Sequence, residues 1–311
     1  MHRFPTFATA LAALGVPALF AMATLPASAA ARPAAAGPMP TLATACEGRD
    51  AWDAPAPPQR IFGNTWYVGT CGISAVLVTS PAGHILVDGG VPEAAPLVLA
   101  NIRAAGFRPR DVRWIVSSHE HWDHAGALAA LKRATGARLA LRAPSAKALA
   151  SGTVPAGDPQ AAGLRPSPAV TADRIVDDGA VVSVGPLRLA AHATPGHSPG
   201  STSWTWRSCV GADCRAMAYA DSVTALASGP WRFSDHPAYV ASFRRALTTV
   251  AALPCDILMT PHPEASELFA RLAHGTPPRD PGACRAYAAR GAARLDETLA
   301  KEAGAPQKPA P

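Results

Sequence analysis

The stretch Trp114–Gly126, WIVSSHEHWDHAG, limits what this chain can fold into more than any other. Its apolar run Trp114–Val116 predicts a buried strand, and Ala125–Leu131 predicts the start of a helix. The polar residues between them therefore lie on a strand-to-helix loop, where α/β proteins commonly place their chemistry. This loop carries side chains of the types that bind Zn²⁺: His119, His121, Asp123 and His124.

The spacing of these side chains predicts a site for two metal ions. Residues two apart point the same way on an extended chain, so His119 and His121 can approach one ion together. Asp123 and His124 can then turn toward a second ion about 3.5–4 Å away. Each histidine taken alone is typical of a half-exposed loop residue, but four such side chains within six residues favour a metal site.

Length and composition indicate a globular protein with a large core. The chain has 311 residues, of which 49% are hydrophobic and 16% charged, enough for one large domain or two small ones. We find no internal repeat and expect one domain. The formal charge is +6, but the basic residues are spread singly, which argues against a nucleic-acid partner. A mildly basic surface favours anionic small molecules.

The first 29 residues have the pattern of a secretory signal peptide. Arg3 precedes an apolar stretch from Phe7 to Leu25, and Ala27–Ala29 offers a small-residue cleavage site. We therefore expect an exported protein with a flexible N-terminal segment at 30–45 and a C-terminal tail at 304–311. No later segment is long and apolar enough to span a bilayer, so we expect no membrane contact after cleavage.

The six cysteines of an exported chain predict disulfides rather than free thiols. Six cysteines allow fifteen pairings, and no C-x-x-C spacing indicates metal binding by sulfur. We expect one pair to close a short hairpin loop, one to attach the C-terminal helix, and one to tie the N-terminal segment to the first hairpin. These pairs are Cys209–Cys214, Cys255–Cys284 and Cys46–Cys71.

Apolar runs separated by turn residues predict strands before the metal-binding motif. Arg60–Gly69 and Ile73–Ser80 predict an antiparallel pair. His84–Val87 predicts the next strand, with His84 beside a turn and facing solvent. Asp88 and two glycines end this strand, a pattern typical of a plain turn.

Later segments add a loop and further histidines. Ser151–Pro168 is rich in Gly and Pro and predicts a long loop of the kind that forms a lid, from which Gln160 can reach a substrate. His192 lies within a predicted strand, and we expect a structural role. His197 lies in a Gly- and Pro-rich turn and His262 follows a predicted strand, so neither alone indicates a metal.

The HxHxDH pattern is the signature of the metallo-β-lactamase superfamily, and from about Cys46 to Ala300 the chain resembles its subclass B3. The motifs HEHWDH, PGHSPGS, YADSVTA and LPCDILMTPHP carry this resemblance; they begin at His119, Pro195, Tyr219 and Leu253. The resemblance implies an α/β fold, the αβ/βα four-layer sandwich, with two mixed sheets and external helices. We expect this domain to span 46–303, with the metals at one edge.

The resemblance also implies roles for individual residues, among them Asp88, which would help to fix the metal loop. The first zinc ion would be bound by His119, His121 and His197, and the second by Asp123, His124 and His262. Of these, we expect His119, His121 and Asp123 to be essential for catalysis. The expected substrate contacts are Ser222, Thr224 and Gln160.

The implied reaction is hydrolysis of the β-lactam amide bond by a hydroxide held between the two zinc ions. Zinc lowers the pKa of bound water to about 7, which provides this hydroxide at neutral pH. The first zinc would polarise the carbonyl oxygen and the second would stabilise the ring nitrogen as it leaves. The resemblance further implies a periplasmic monomer that confers resistance to penicillins, cephalosporins and carbapenems.

A rival interpretation within the superfamily is a lactonase, thioesterase or phosphodiesterase. Such enzymes use a bridging aspartate, for which Asp221 is the candidate. The Ser-Val-Thr that follows and the context of His262 favour a structural Asp221 instead. A redox di-iron site is disfavoured because position 121 is a histidine rather than a carboxylate. A non-catalytic zinc protein would need a closed site, whereas six ligands shared by two metals leave room for water.

Overall fold

The computed structural model describes residues 40–304. The predicted signal peptide, most of the predicted N-terminal segment and nearly all of the predicted tail lie outside this range. The described chain begins with helix α1, Leu42–Ala45, which starts four residues before the domain boundary predicted at Cys46. Leu42 is fully buried, so the packed domain includes this short helix.

The first of two β-sheets takes its strands from the N-terminal half of the described chain. These are β1 Gln59–Phe62, β2 Thr65–Tyr67, β3 Val76–Val78, β4 His84–Val87, β5 Val112–Val116, β6 Arg138–Leu141 and β7 Arg174–Ile175. They neighbour one another in chain order. The pairs up to β3–β4 are antiparallel, and the pairs from β4–β5 onward are parallel.

The second sheet follows from the C-terminal half. Its strands are β8 Val181–Val184, β9 Leu187–Ala193, β10 Thr202–Val210, β11 Asp213–Tyr219 and β12 Ile257–Met259. Their order across the sheet is β12-β11-β10-β9-β8. The β11–β12 pair is parallel and the others are antiparallel, so this sheet is mixed as well.

Helices cover the outer faces of both sheets. Besides α1 they are α2 Ala95–Ala104, α3 Trp122–Ala125, α4 Leu128–Thr135, α5 Ala143–Ser151, α6 Pro237–Ala251, α7 Leu268–Leu272 and α8 Ala283–Gly304. Short 3₁₀ turns lie at Pro92–Ala94, Pro109–Asp111, Phe233–Asp235 and Pro263–Ser266. Within residues 40–304, no helix combines the length and the apolar character needed to cross a bilayer.

Alternation along the strands explains the four layers. In β3, Val76 and Val78 face the core between the two sheets, whereas Leu77 faces the core beneath α2 and α4. Because both faces of such a strand are buried, its sequence is a continuous apolar run. On the other side, α6 and α8 pack on the second sheet through a core that includes Phe243 and Leu295. The predicted αβ/βα sandwich is therefore confirmed.

Three local predictions were wrong. Asp123 and His124 lie in helix α3 rather than on a loop that precedes a helix at Ala125. The run Arg60–Gly69 is not one strand, because the chain turns at Gly63, whose φ of +51° favours glycine and whose Cβ would lie 2.5 Å from Ser208 Oγ. His84 is buried rather than solvent-facing, and its ring lies edge-on to Phe107 with centroids 5.1 Å apart. The structure does contain the three predicted disulfides: Cys46–Cys71, Cys209–Cys214 and Cys255–Cys284.

Contacts between the sheets bring their loops together at one edge of the sandwich. Trp204 of β10 donates its indole N–H to the carbonyl of Ser117 at 2.9 Å, and Thr202 N–H donates to the carbonyl of Ser118 at 2.7 Å. The start of the His-rich loop after β5 is thus hydrogen-bonded to the second sheet. Residues that follow β11 and β12 reach the same edge.

Candidate metal centre

A buried carboxylate at the end of β4 holds the start of the His-rich loop. Asp88 Oδ1 accepts from Ser117 Oγ at 2.9 Å and Ser118 N at 2.6 Å. Its Oδ2 accepts from Ser118 Oγ at 2.6 Å and Tyr219 Oη at 2.8 Å. Burial raises the pKa of Asp88 above its ordinary value, although these donors oppose the shift. The carboxylate therefore supports the loop rather than merely ending a strand.

Three of the predicted ligands converge in one buried group. His119, His121 and His197 each offer a ligand atom, and these atoms lie within 4.8 Å of one another. The ring centroids of His119 and His121 are 4.5 Å apart, and His197 lies 5.0 Å from both. The loop after β5 thus meets the turn between β9 and β10, as the first predicted ligand set requires.

Each of these imidazoles is oriented by a contact on one ring nitrogen. His119 Nδ1 lies 2.8 Å from Asp221 Oδ1, and His121 Nε2 lies 2.8 Å from Asp158 Oδ2. His197 Nδ1 lies 3.0 Å from the carbonyl of Thr224 and 2.9 Å from its hydroxyl. The other nitrogen of each ring remains to face the group, and His119 Nε2 is buried without a hydrogen-bond partner among the described residues.

The second predicted ligand set lies directly beside the first. Asp123, His124 and the shared His119 also have ligand atoms within 4.8 Å of one another. His262 Nε2 lies 3.3 Å from Asp123 Oδ2, and its ring centroid is 4.9 Å from that of His124. His124 Nε2 is 3.0 Å from Asp123 Oδ2, yet neither nitrogen of His124 makes a hydrogen bond of good geometry within residues 40–304. Close approach without a hydrogen bond is the arrangement expected of atoms that share a cation.

Burial keeps two of the imidazoles in the neutral form, whereas charged neighbours decide the state of Asp123 and His124. Desolvation holds the pKa of His119 well below its usual range and lowers that of His197 to about 3. Both imidazoles are therefore neutral at pH 7, the form that binds a metal. Burial raises the pKa of Asp123, but His124 and His262 outweigh it and the net shift is downward, so this carboxylate is ionised. Burial lowers the pKa of His124, but Asp123 reverses the shift.

The residue between the first two histidines supports the turn that carries His197. Glu120 is buried, and its carboxylate accepts from Ser145 Oγ at 2.7 Å and Gly200 N at 3.1 Å. A Cβ on Gly200 would lie 2.0 Å from Ser145 Oγ and 2.1 Å from Glu120 Oε2. Only glycine allows this close approach, so Glu120 and Gly200 together position the β9–β10 turn.

The predicted substrate contacts occupy different positions around the group. Gln160 Nε2 reaches within 3.4 Å of His197 Nε2, so its amide lies beside the first ligand set. The hydroxyl of Thr224 is directed to His197 Nδ1, whereas Ser222 is buried. Asp221 lies behind His119, on the Nδ1 side of the ring, and burial raises its pKa. It belongs to neither group of converging ligand atoms found among residues 40–304.

The structure shows two contacts of the centre that the sequence could not specify. Asp158, the partner of His121, lies in an irregular loop with no periodic pattern to single it out. Trp52 is 45% exposed, and its ring lies 6.1 Å from His262 and 6.4 Å from Trp122. A cleft of about 590 Å³ is lined by both indoles and by the carboxylate residues Asp50, Asp53 and Glu93. An exposed indole beside a histidine cluster is a signal that the sequence alone did not reveal.

Comparisons with known proteins agree with this geometry. A family model described as the metallo-beta-lactamase superfamily matches residues 68–262. The crystal structure of the metallo-β-lactamase MIM-1 from Novosphingobium pentaromativorans superposes with a TM-score of 0.83 at 53% identity, covering 85% of this chain and 98% of that one. MEM-A1, a subclass B3 metallo-β-lactamase from a soil metagenome library, has a TM-score of 0.78 at 45% identity, covering 81% and 99%.

Curated relatives match only in part. A hydroxyacylglutathione hydrolase from Anaeromyxobacter dehalogenans is 38% identical over 130 residues, which are 42% of this chain and 40% of that protein. The N-acyl homoserine lactonase AttM from Agrobacterium fabrum is 33% identical over 81 residues, 19% of this chain and 31% of that protein. The chain therefore matches less than half the length of these two relatives.

Proposed function

We propose that this chain, which belongs to the metallo-β-lactamase superfamily and within it to subclass B3, is a zinc-dependent hydrolase of penicillins, cephalosporins and carbapenems. The observation that carries the proposal is the convergence of two buried ligand groups, which share His119, at one edge of the sandwich. We further propose that the protein acts as a periplasmic monomer and confers antibiotic resistance. The export signal in the sequence supports this location.

The donor set fits two zinc ions. His119, His121 and His197 would hold the first ion, and Asp123, His124 and His262 would hold the second. Imidazole and carboxylate are ligands that zinc prefers. A buried imidazole nitrogen without a hydrogen-bond partner, as in His119 and His124, costs free energy unless another group satisfies it. When bound, zinc lowers the pKa of coordinated water to about 7 and polarises a carbonyl.

The protein's own residues prepare this chemistry. Desolvation keeps His119 and His197 neutral, so that their free nitrogens are lone-pair donors. Asp221, Asp158 and Thr224 accept the N–H on the opposite side of each ring and so set its orientation.

A cleft near the centre offers space for a small-molecule substrate. Its volume of about 590 Å³ is within the range of such sites, and its lining includes Trp122, which lies between His121 and Asp123 in the chain, but none of the six proposed ligands. Trp52 and Trp122 give this cleft aromatic walls, and Gln160 places an amide beside His197. We expect Gln160, Ser222 and Thr224 to contact the substrate. The carbonyl and hydroxyl of Thr224 also contact His197 Nδ1 and so help to orient this metal ligand.

The named activities of the curated relatives make a lactone or thioester hydrolase the second candidate. That candidate requires Asp221 to bridge two metals. Asp221 instead contacts the outer nitrogen of His119 and lies outside both ligand groups of the described chain. The position of Asp221 therefore favours the β-lactamase over the rival.

The test is hydrolysis of a carbapenem by the purified protein, before and after treatment with a chelator and again after zinc is added back. We expect turnover that the chelator abolishes and zinc restores. His121→Ala should be nearly inactive, because it removes a ligand of the first set.

His192→Ala is the matched control. This histidine lies on β9 and contacts Thr205 Oγ1 at 2.8 Å, and it is not a member of either ligand group. We expect it to retain turnover. Folded, zinc-loaded protein that hydrolyses a lactone or thioester but no β-lactam would refute the proposal in favour of the rival.

A further inference from the structure

The long loop between α5 and β7 contributes a buried carboxylate to the centre. Asp158 is 1% exposed, and its Oδ2 lies 2.8 Å from Nε2 of His121, which is 4% exposed. Its other oxygen, Oδ1, accepts the backbone N–H of Gln160 at 2.8 Å. With its side chain withdrawn from water, Asp158 is committed to these two contacts.

This contact determines which nitrogen of His121 can bind a metal. A carboxylate accepts hydrogen bonds, so the proton of the neutral imidazole lies on Nε2 and the lone pair lies on Nδ1. A carboxylate in this position fixes the tautomer and the orientation of a metal-binding ring and makes the ring a stronger donor. His119 and His197 are held through Nδ1 instead, so His121 presents its opposite nitrogen to the group.

The partners of the three imidazoles come from different parts of the fold. Asp221 and Thr224 follow β11 within a few residues of the strand end. Asp158 lies in irregular chain well away from the nearest helix or strand. Its neighbours are fixed by Ser228, whose Oγ donates to the Gln160 carbonyl at 2.6 Å and whose N–H donates to the Pro159 carbonyl at 3.0 Å. The same short segment therefore contacts His121 through Asp158 and approaches His197 through Gln160.

We propose that Asp158 is a positioning residue for His121 and that it couples the loop of residues 152–173 to metal binding. The inference rests on the proposed function in so far as His121 binds a metal. A cation on Nδ1 makes the Nε2–H a stronger donor, which tightens the contact with Asp158 and restrains the loop. By linkage, the free energy with which bound metal stabilises the folded loop equals the free energy that the folded loop adds to metal binding.

The experiment measures zinc affinity by competition with a chromophoric chelator, and hydrogen exchange of peptides from 152–173 with and without zinc. Wild type is compared with Asp158→Ala and with Asp158→Asn, which keeps an acceptor but loses the charge. We expect Asp158→Ala to lose about 10–100-fold in affinity for one zinc ion, with Asp158→Asn between it and wild type. Zinc should protect the loop from exchange in wild type and fail to do so in Asp158→Ala.

Asp173→Asn is the matched control. Asp173 lies at the other end of the same loop, where its carboxylate accepts from Leu139 N at 2.7 Å and pairs with Lys132 at 2.7 Å. Asp173→Asn makes the same change of charge as Asp158→Asn, but at a residue that contacts no histidine. We therefore expect zinc affinity and the protection of the loop from exchange to stay as in wild type.

The outcomes separate the inference from the proposed function. Zinc affinity within twofold of wild type in Asp158→Ala, with the loop still protected by zinc, would overturn the inference alone. Wild-type protein that takes up no zinc would overturn both. If Asp158→Ala does not fold, Asp158→Asn decides: unchanged affinity in the folded variant refutes the positioning role, and a fall that Asp173→Asn does not share supports it.

Discussion

Replacing Asp88 should destabilise the protein and weaken the metal centre together. This carboxylate accepts four hydrogen bonds in the core, from Ser117, Ser118 and Tyr219. Asp88→Ala removes every acceptor at once and leaves the donors buried. Asp88→Asn keeps Oδ1 and its two bonds, and asparagine tolerates the left-handed φ of 59° found here.

The expected loss follows from counting the stranded donors. A buried donor without a partner costs about 1–3 kcal/mol, so four would cost at most about 4–12 kcal/mol. The loss is smaller because Ser117 Oγ can still donate to the carbonyl of His119 and Tyr219 Oη to that of Ser74. Relief of the buried charge and entry of water offset part of this. We therefore expect Asp88→Ala to lower the free energy of unfolding by about 3–5 kcal/mol, as when one partner of a buried charged network is removed. Asp88→Asn should cost about 1–2 kcal/mol, because the Ser118 and Tyr219 hydroxyls can turn to accept from the amide.

Urea denaturation of chelator-treated protein provides the measurement, with the m-value compared between variants to verify that the same transition is observed. Zinc affinity measured on the same samples should fall in Asp88→Ala, because Ser118 and its neighbour His119 lose their support. If Asp88→Ala lowers the free energy of unfolding by less than about 1 kcal/mol, or if both variants lower it equally, the stabilising role assigned to these hydrogen bonds is refuted.

Three further results are expected. Gly200→Ala should lower stability and displace Glu120, because the new Cβ would lie 2.1 Å from Glu120 Oε2. The midpoint temperature of thermal unfolding and the rate of carbapenem turnover should both fall. In metal-free protein, burial lowers the pKa of the His197 imidazole to about 3 from an ordinary 6.5, so between these values only the unfolded state binds this proton. The free energy of unfolding should therefore be highest above pH 6.5 and fall by about 1.4 kcal/mol per pH unit toward pH 3. His197→Gln should reduce this slope. Replacing both Cys255 and Cys284 by alanine opens a link across 29 residues and should cost about 3–4 kcal/mol on the chain-entropy account, measured by urea denaturation without loss of zinc affinity.

The parts of the fold that the sequence predicted are those in which local pattern and burial agree. Strand β3 and the Trp114–Val116 part of β5 are continuous apolar runs because both of their faces are covered, by the other sheet and by helices. The turn at Gly63 was missed because apolar residues continue on both sides of it, although Gly-Asn between two such runs is a hairpin signal. Ser208 on the opposite sheet adds a steric requirement for glycine. The burial of His84 likewise depends on Phe107, a contact that periodicity does not report.

The candidate site divides in the same way. The residues of the HEHWDH motif were recognisable because they are adjacent in sequence, and the structure brings His197 and His262 to them as the resemblance implied. The groups that orient the imidazoles were harder to recognise from the sequence. Asp158 is 37 residues from His121 and stands between a glycine and a proline, where an aspartate is an ordinary turn residue. Its role exists only once the loop has folded back onto the sheet edge.

Each sheet carries one portion of the metal centre, so the centre forms only when the two halves of the chain are together. The motif of His119–His124 belongs to the half of the chain that ends with β7, whereas His197 and His262 belong to the half that begins with β8. The halves are joined by an exposed turn at 177–179. Cutting the chain there would give two fragments, each with an incomplete ligand set and an uncovered apolar sheet face. Fused to two proteins that bind each other, such fragments would report that encounter by β-lactam turnover, making the molecule a split reporter whose signal depends on reassembly.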